Sequence, residues 1–253
     1  MLGCVTGARY DSIGHGYAGS RHPDDRLTTR LRERLGDART VVNVGAGTGN
    51  YEPADRSVVA VEPSAVMIAQ RPPGAAPAVQ APAEALPFRR DSFDAAMAIS
   101  TVHHWSDLGR GLAEMVRVAP RRIVHFAEAA RPGRHWLIDE YLPEIVDMPT
   151  NRAAPRADTV ADLLGGTATI DVFEVPRDFS DGAGAFWGRP ERYCDPAVQA
   201  GLSMFTLLDP AVVQRATARL RDDLRSGRWD DRHGHLRTAP TMDVGYRIVT
   251  SEA

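Results

Sequence analysis

Cysteine is scarce in this chain of 253 residues: Cys4 and Cys194 stand far apart and match neither a zinc-ligand spacing nor a disulfide framework, as expected for a reduced compartment. Strong charge of either sign is also lacking. A net charge of −3 sets up no basic field for a nucleic-acid backbone or an anionic membrane, so neither is expected as a partner. No apolar run approaches the roughly 20 residues that span a bilayer, and no charged start leads into an apolar core. A soluble, cytoplasmic protein is the expectation. Internal repeats and low-complexity tracts are missing too. What is present, 43% hydrophobic and 25% charged residues, suffices for a sizeable core, and the length suits a single domain over 1–253.

The first 23 residues combine glycine and tyrosine with little aliphatic periodicity and read as a loosely structured arm. From Asp24, leucines at 27, 31 and 35 recur every four residues up to Gly36, which predicts an amphipathic helix. Short apolar runs at 40–44, 57–61, 78–80, 93–99 and 121–126 have the length of strands and are partly β-branched. Helices are predicted between them at Ser64 to Gln70, with a serine N-cap, and at Asp107 to Val118. This alternation predicts a parallel sheet covered on both faces.

Beyond Phe126 the rhythm changes. A longer helix is expected from Arg134 to Val146, then a Pro/Arg-rich link and a helix ending at Gly165-Gly166. Late strands are expected at Thr167 to Val175 and Asp243 to Thr250. The stretch between them, with a helix from Pro210 to Ser226, is too long for a hairpin, so 178–240 reads as a helical insertion, either a cap over the substrate side or a stabilising appendage.

Three features carry chemistry when taken together. Gly45-Ala46-Gly47-Thr48-Gly49 follows a strand directly, and glycine permits both a sharp turn and a ligand lying against bare backbone. Glu62 ends the next apolar run, where a carboxylate accepts ribose hydroxyls across adjacent strand ends. The glycine pattern is G-x-G-x-G rather than the dinucleotide G-x-G-x-x-G, and Asn50-Tyr51-Glu52-Pro53 is a poor helix start for a pyrophosphate. A ligand with ribose and adenine but no phosphate fits this pattern better. The third feature is AEALPFRRDSFDAAMAISTVHHW from Ala83, in which a turn at Pro87 leads into a strand ending at Ser100 to Trp105.

VVNVGAGTG, VVAVEPS, AEALPF and DSFDAAMAISTVHHW, in this order, resemble the class I S-adenosylmethionine-dependent methyltransferases of small molecules, the broad group related to quinone-biosynthesis methyltransferases. The resemblance covers about Tyr10 to Glu128. It implies an α/β, Rossmann-like, doubly wound and mostly parallel seven-stranded sheet in the order 3-2-1-4-5-7-6, here with a helical cap insertion. It also implies S-adenosylmethionine as cofactor and a small-molecule acceptor as partner. Carried over residue by residue, Gly45, Ala46, Gly47 and Gly49 pack against the methionine and ribose, Glu62 holds the ribose hydroxyls, and Met67 lies near the adenine. Ala83 and Glu84 meet the adenine edge, Ser100 and Thr101 line the methionine amine, and Tyr17 with Arg21 form a lid element whose arginine meets the cofactor carboxylate. An exposed surface arginine is the other reading of Arg21. Two departures stand out: Asn43, where many relatives have an acid, and Pro82, near a position where many have an aspartate for the adenine amino group.

Methyl transfer from a sulfonium is an in-line displacement that needs no metal and often needs a proton acceptor. His104, at the carboxyl end of the fourth strand, is the first candidate for that base; His15 and Tyr10 in the arm are further ones. The alternative is that His103 and His104 orient the loop while Trp105 packs. His135 and Trp136 begin a cap helix, with substrate contact or core packing open for Trp136. Arg121-Arg122 and Asp222-Asp223 read as solvated faces. The His233/His235 pair lacks accompanying ligands, so no metal is expected. An enzyme of methyl transfer is the leading reading. A cyclase or rearrangement enzyme on the same fold, a non-catalytic sensor and, less favoured, an NAD-dependent oxidoreductase are the alternatives.

Overall fold

The computed structural model describes residues 23–182 and 184–253. Five parallel strands come first: β1 (Thr40–Val44), β2 (Ser57–Val61), β3 (Ala78–Val79), β4 (Ala95–Ile99) and β5 (Arg121–Ala127). Two later strands, β6 (Thr167–Val172) and β7 (Tyr246–Glu252), complete a seven-stranded sheet in the order β3-β2-β1-β4-β5-β7-β6. The chain returns antiparallel, with β7 inserted between β5 and β6. A small separate ladder pairs Val175–Pro176 with Thr241–Met242. This is the mostly parallel Rossmann-like sheet that the motifs imply.

Successive residues on the central strands serve opposite layers, as a two-residue period requires. Val41, Met97 and Ile123 face α1 (Asp25–Leu35), which contributes Leu27, Leu31 and Leu35. Val42, Ala96 and Val124 face α3 (Leu108–Val118), together with Leu112, Met115 and Val118. The short α2 (Ala65–Ala69) follows β2. Local capping explains where these helices start: Asp24, Ser64 and Asp107 each accept a backbone N–H from the first turn.

The second half departs from the sequence expectation at several points. The expected helix over 134–146 is broken into α4 (Trp136–Glu140) and a 3₁₀ turn, Pro143–Asp147. Pro143 has no N–H and drives Leu142 out of helical geometry, to φ −132° and ψ 54°. The last strand begins at Tyr246 rather than Asp243, because Gly245 takes φ +99° and turns the chain first. A helix ends before Gly165 as expected, α5 (Ala157–Leu164).

The connection from β6 to β7 contains α6 (Pro210–Ser226) and α7 (Arg228–His233) and packs an aromatic cluster against α4. Trp136 is buried there, its Nε1 donating to the Trp187 carbonyl at 2.8 Å, with Trp229 edge-on to its ring at 5.2 Å. Two charges expected on solvated faces prove to be interior. Arg122 is buried on β5 and donates to Ser251 Oγ at 2.7 Å and to the Leu164 carbonyl at 3.1 Å. Asp223 is buried on α6, accepting from Tyr141 Oη at 2.8 Å and from Arg228 and Arg232. Each finds partners distant in sequence, which makes burial tolerable.

Candidate active site

The loop after β1 is bolted to the end of β2. The backbone N–H groups of Gly45 and Ala46 both donate to the Val61 carbonyl, at 2.8 and 3.0 Å. Gly45, Gly47 and Gly49 all take positive φ, at 70°, 53° and 97°. At Gly45 the requirement is double, because a Cβ there would stand 2.1 Å from Thr101 Oγ1. Glu62, buried one residue past β2, reaches back into this loop: its Oε2 accepts from the Gly47 N–H at 2.8 Å, and its Oε1 from the Ser64 N–H at 3.0 Å. Ser64 also caps α2, which carries the buried Met67 to within 3.2 Å of where a Cβ on Gly47 would lie.

Behind the loop lies a polar chain that the sequence did not reveal. Asn43 Nδ2 donates to Glu52 Oε1 at 3.1 Å; Glu52 Oε2 pairs with Arg71 Nη2 at 2.7 Å. Arg71 donates in turn to the carbonyls of Gly47, at 3.3 Å, and Ala76, at 3.0 Å. The amide of Asn43, a departure from the acid that the family resemblance leads one to expect there, donates to the Glu52 carboxylate, whereas a second carboxylate would repel it. The only sequence signal was that departure.

On the other side of β1, the end of β4 is sharply bent. Ser100 adopts φ +54°, its N–H donates to the His125 carbonyl at 2.7 Å, and its Oγ lies 3.2 Å from His125 Nδ1. Thr101 packs on Gly45, and Val102–His104 form one 3₁₀ turn with the His103 and His104 rings 3.9 Å apart. Ala83 is buried. The Glu84 side chain is turned to the loop after this 3₁₀ turn, where Oε1 accepts from Ser106 N and Oγ and from Asp107 N at 2.7, 2.8 and 3.1 Å. Burial pushes this carboxyl up, but the donors from Asp107 and Ser106 outweigh it and hold Glu84 below its ordinary value.

A cavity of about 170 Å³ opens beside His103 and His104. Ala127, Glu128 and Arg131 line it from the end of β5, Ile138 and Met148 from the elements around α4, and Tyr246 from β7. Its wall includes His135, the N-cap of α4, whose Nδ1 accepts from the Leu137 N–H at 3.1 Å. Burial pulls His135 down to about 4, with a smaller push from His233, so the ring is neutral. Glu128, Arg131 and Arg134 were not singled out in the sequence; their one signal is that AEAARPGR follows β5 at the edge where open α/β sheets bind ligands.

The structure thus brings together Gly45, Ala46, Gly47, Gly49, Glu62, Met67, Ser100 and Thr101, with His104 on the adjoining cavity. Tyr10, His15, Tyr17 and Arg21 lie outside the described residues. His233 turns from the site and bonds Glu140 through Nε2.

Residues 42–122 match the family model of the methyltransferase domain. The chain is similar to a protein of Anabaena variabilis described as a methyltransferase from an antibiotic biosynthesis pathway: 29% identity, TM-score 0.84, covering 92% of this chain and 99% of that one. An S-adenosylmethionine-dependent methyltransferase of Thermotoga maritima shares the fold at 15% identity and TM-score 0.58, over 96% of this chain and 97% of that one. So does phosphoethanolamine N-methyltransferase 2 of Haemonchus contortus, at 13% identity and TM-score 0.53, over 90% of this chain and 52% of that one. No curated protein matches the sequence.

Proposed function

We propose that this chain, whose residues 42–122 match the methyltransferase-domain model, transfers the methyl group of S-adenosylmethionine to an oxygen, nitrogen or carbon of a small organic acceptor. The observation that carries the reading is Glu62: a buried carboxylate aimed into a glycine loop whose Gly47 N–H it already holds. Its Oε2 accepts from the Gly47 N–H and its Oε1 from the Ser64 N–H, which fixes an acceptor carboxylate at the strand end beside the glycine loop, the chemistry that a ribose diol needs, so the residues fit the cofactor.

When bound, the sulfonium supplies an electrophilic methyl group: the sulfur–carbon bond breaks as the acceptor–carbon bond forms, and the acceptor gives up a proton if it carries one. The chain's own residues bind and align. Gly45, Ala46, Gly47 and Gly49 offer bare backbone to the methionine and ribose; Met67 flanks the adenine. Pro82 has no N–H, and the Glu84 side chain is engaged with Ser106 and Asp107, so adenine is read by the backbone at Ala83 and Glu84. Ser100 and Thr101 present their ends to the methionine amine, and Tyr17 with Arg21 closes over the carboxylate as a lid formed by residues 1–23. Residues 178–240 form a cap beside the acceptor cavity, to which Gly184 and Met204 contribute. His104, on that cavity, accepts the acceptor's proton, with His15 and Tyr10 as the arm's own candidates.

Calorimetric titration with S-adenosylmethionine, S-adenosylhomocysteine and NAD tests this first. Binding of NAD alone would overturn it. Transfer of labelled methyl across an acceptor panel then separates a transferase from a cyclase or a sensor. His104→Ala should lower turnover and leave cofactor affinity near its native value; unchanged turnover removes His104 from the chemistry.

A further inference from the structure

The acceptor cavity has a charge pattern of its own. Among the described residues its charged lining is Glu128, Arg131 and Arg134, one carboxylate against two guanidinium groups. Glu128 is already engaged: Oε2 accepts from Arg134 at 3.0 Å and lies 3.3 Å from Arg247, and Oε1 accepts from the Ala157 N–H at 3.2 Å. Burial pushes its carboxyl up, yet those donors prevail and hold it ionised. Arg131 is different. Among the described residues its one acidic neighbour is the same Glu128, at 3.7 Å, and its side chain is 43% exposed. Every cationic side chain here is arginine, for the chain contains no lysine. A planar fork with spare donors, in a chamber whose apolar wall is formed by Leu137, Ile138, Ile145, Met148 and Val244, suits a carboxylate held bidentately.

We propose that the acceptor is an organic acid, an apolar or aromatic body carrying a single carboxylate, with Arg131 as the specificity residue that grips the carboxylate while the body fills the cavity beside His103 and His104. The proposal rests on the methyltransferase reading only for the statement that this cavity receives the acceptor. A cationic acceptor is disfavoured on the same geometry. Glu128, the one anionic wall among the described residues, is shared among three guanidinium groups, so its charge is already compensated before an amine arrives.

The test is calorimetric titration of the full chain, with and without S-adenosylhomocysteine, using 4-phenylbutanoate, 4-phenylbutanamide and 4-phenylbutylamine as probes. The acid should bind about tenfold tighter than the amide, about the discrimination expected of one charge-assisted fork. Its advantage should shrink between 50 and 300 mM salt and vanish in Arg131→Gln, while amide affinity stays unchanged; Arg131→Lys should restore only part of it. Equal binding of acid and amide, tighter binding of the amine, or no binding of the acid overturns the proposal. If Arg131→Gln fails to fold, the ranking of the three probes on the native protein still decides. If the acid binds but S-adenosylhomocysteine does not, the methyltransferase reading falls and the anion site stands.

Discussion

Tyr51 Oη donates a 2.6 Å hydrogen bond to Asp181 Oδ2 across 130 residues of sequence, inside the protein. Tyr51 lies two residues past Gly49 and takes a left-handed φ of 66°, which turns its ring inward. The same hydroxyl accepts from the N–H of Asp24, the N-cap of α1, at 3.3 Å. One phenol therefore joins the glycine loop, the start of the first helix and the early part of the β6–β7 connection.

Tyr51→Phe keeps the ring and removes this junction. Loss of a buried hydrogen bond to a carboxylate costs about 1.5–3 kcal/mol. Urea denaturation should show that loss, and S-adenosylhomocysteine should bind several-fold more weakly because the loop's anchor is gone. A variant as stable as the native protein contradicts the role.

Glu62→Gln separates the two functions of that carboxylate. The amide oxygen can still accept from Gly47, but the amide nitrogen cannot accept from a ribose hydroxyl or from Ser64. Cofactor affinity should fall roughly 10- to 100-fold, the scale of one charge-assisted hydrogen bond, as read by titration calorimetry.

Gly45→Ala should be among the most damaging single-methyl changes in the molecule. It combines a left-handed backbone with a Cβ 2.1 Å from Thr101 Oγ1 and 2.8 Å from Thr101 Cβ. The left-handed penalty of about 1–2 kcal/mol adds to an overpacking cost of about 1–3 kcal/mol. Thermal unfolding gives the readout. Thr101→Ala in the same chain removes the Oγ1 clash and leaves the Cβ contact, so only partial rescue is expected.

Asn43→Asp should harm. It sets a second carboxylate against Glu52 in place of an amide donor at 3.1 Å. The introduced carboxyl is then easier to protonate folded than unfolded, so the deficit, about 1–3 kcal/mol at pH 8, should shrink as pH falls through 5. Denaturation midpoints at the two pH values check the sign.

His135 supplies a second pH dependence. Its folded value, about 4, is below the ordinary value of 6.5, so the unfolded chain binds the extra proton first. Stability from this group is full above pH 6.5 and declines as pH falls toward 4, by up to about 3 kcal/mol. His135→Asn keeps a capping side chain for α4 without the titration. Its stability should vary less between pH 6.5 and 4 than that of the native protein.

Short-range chemistry was legible in the residues themselves. The leucines of α1, the helix starts at Ser64 and Asp107, the β-branched runs of β1 and β2, and the glycines turning off β1 all act within a few residues, so periodicity and turn chemistry exposed them. The sheet's strand order was implied by the family resemblance those motifs carry, and the structure has it. Pro143 was equally local, and the break at Leu142 follows from it, yet the apolar spacing on both sides masked it.

What lay beyond reach was the choice of partner across long separations. Arg122 and Asp223 look like surface charges beside their neighbours Arg121 and Asp222, and only packing against Ser251 and Tyr141 makes them interior. Asn43, Glu52 and Arg71 become one chain of contacts, and Arg131 becomes the lip of a cavity, only once β1, β2 and β5 end side by side. The sequence by itself determined the elements and the glycine loop, because backbone conformation answers to adjacent residues. The tertiary structure decided which charges pair with each other, because that pairing depends on distances that no local pattern encodes.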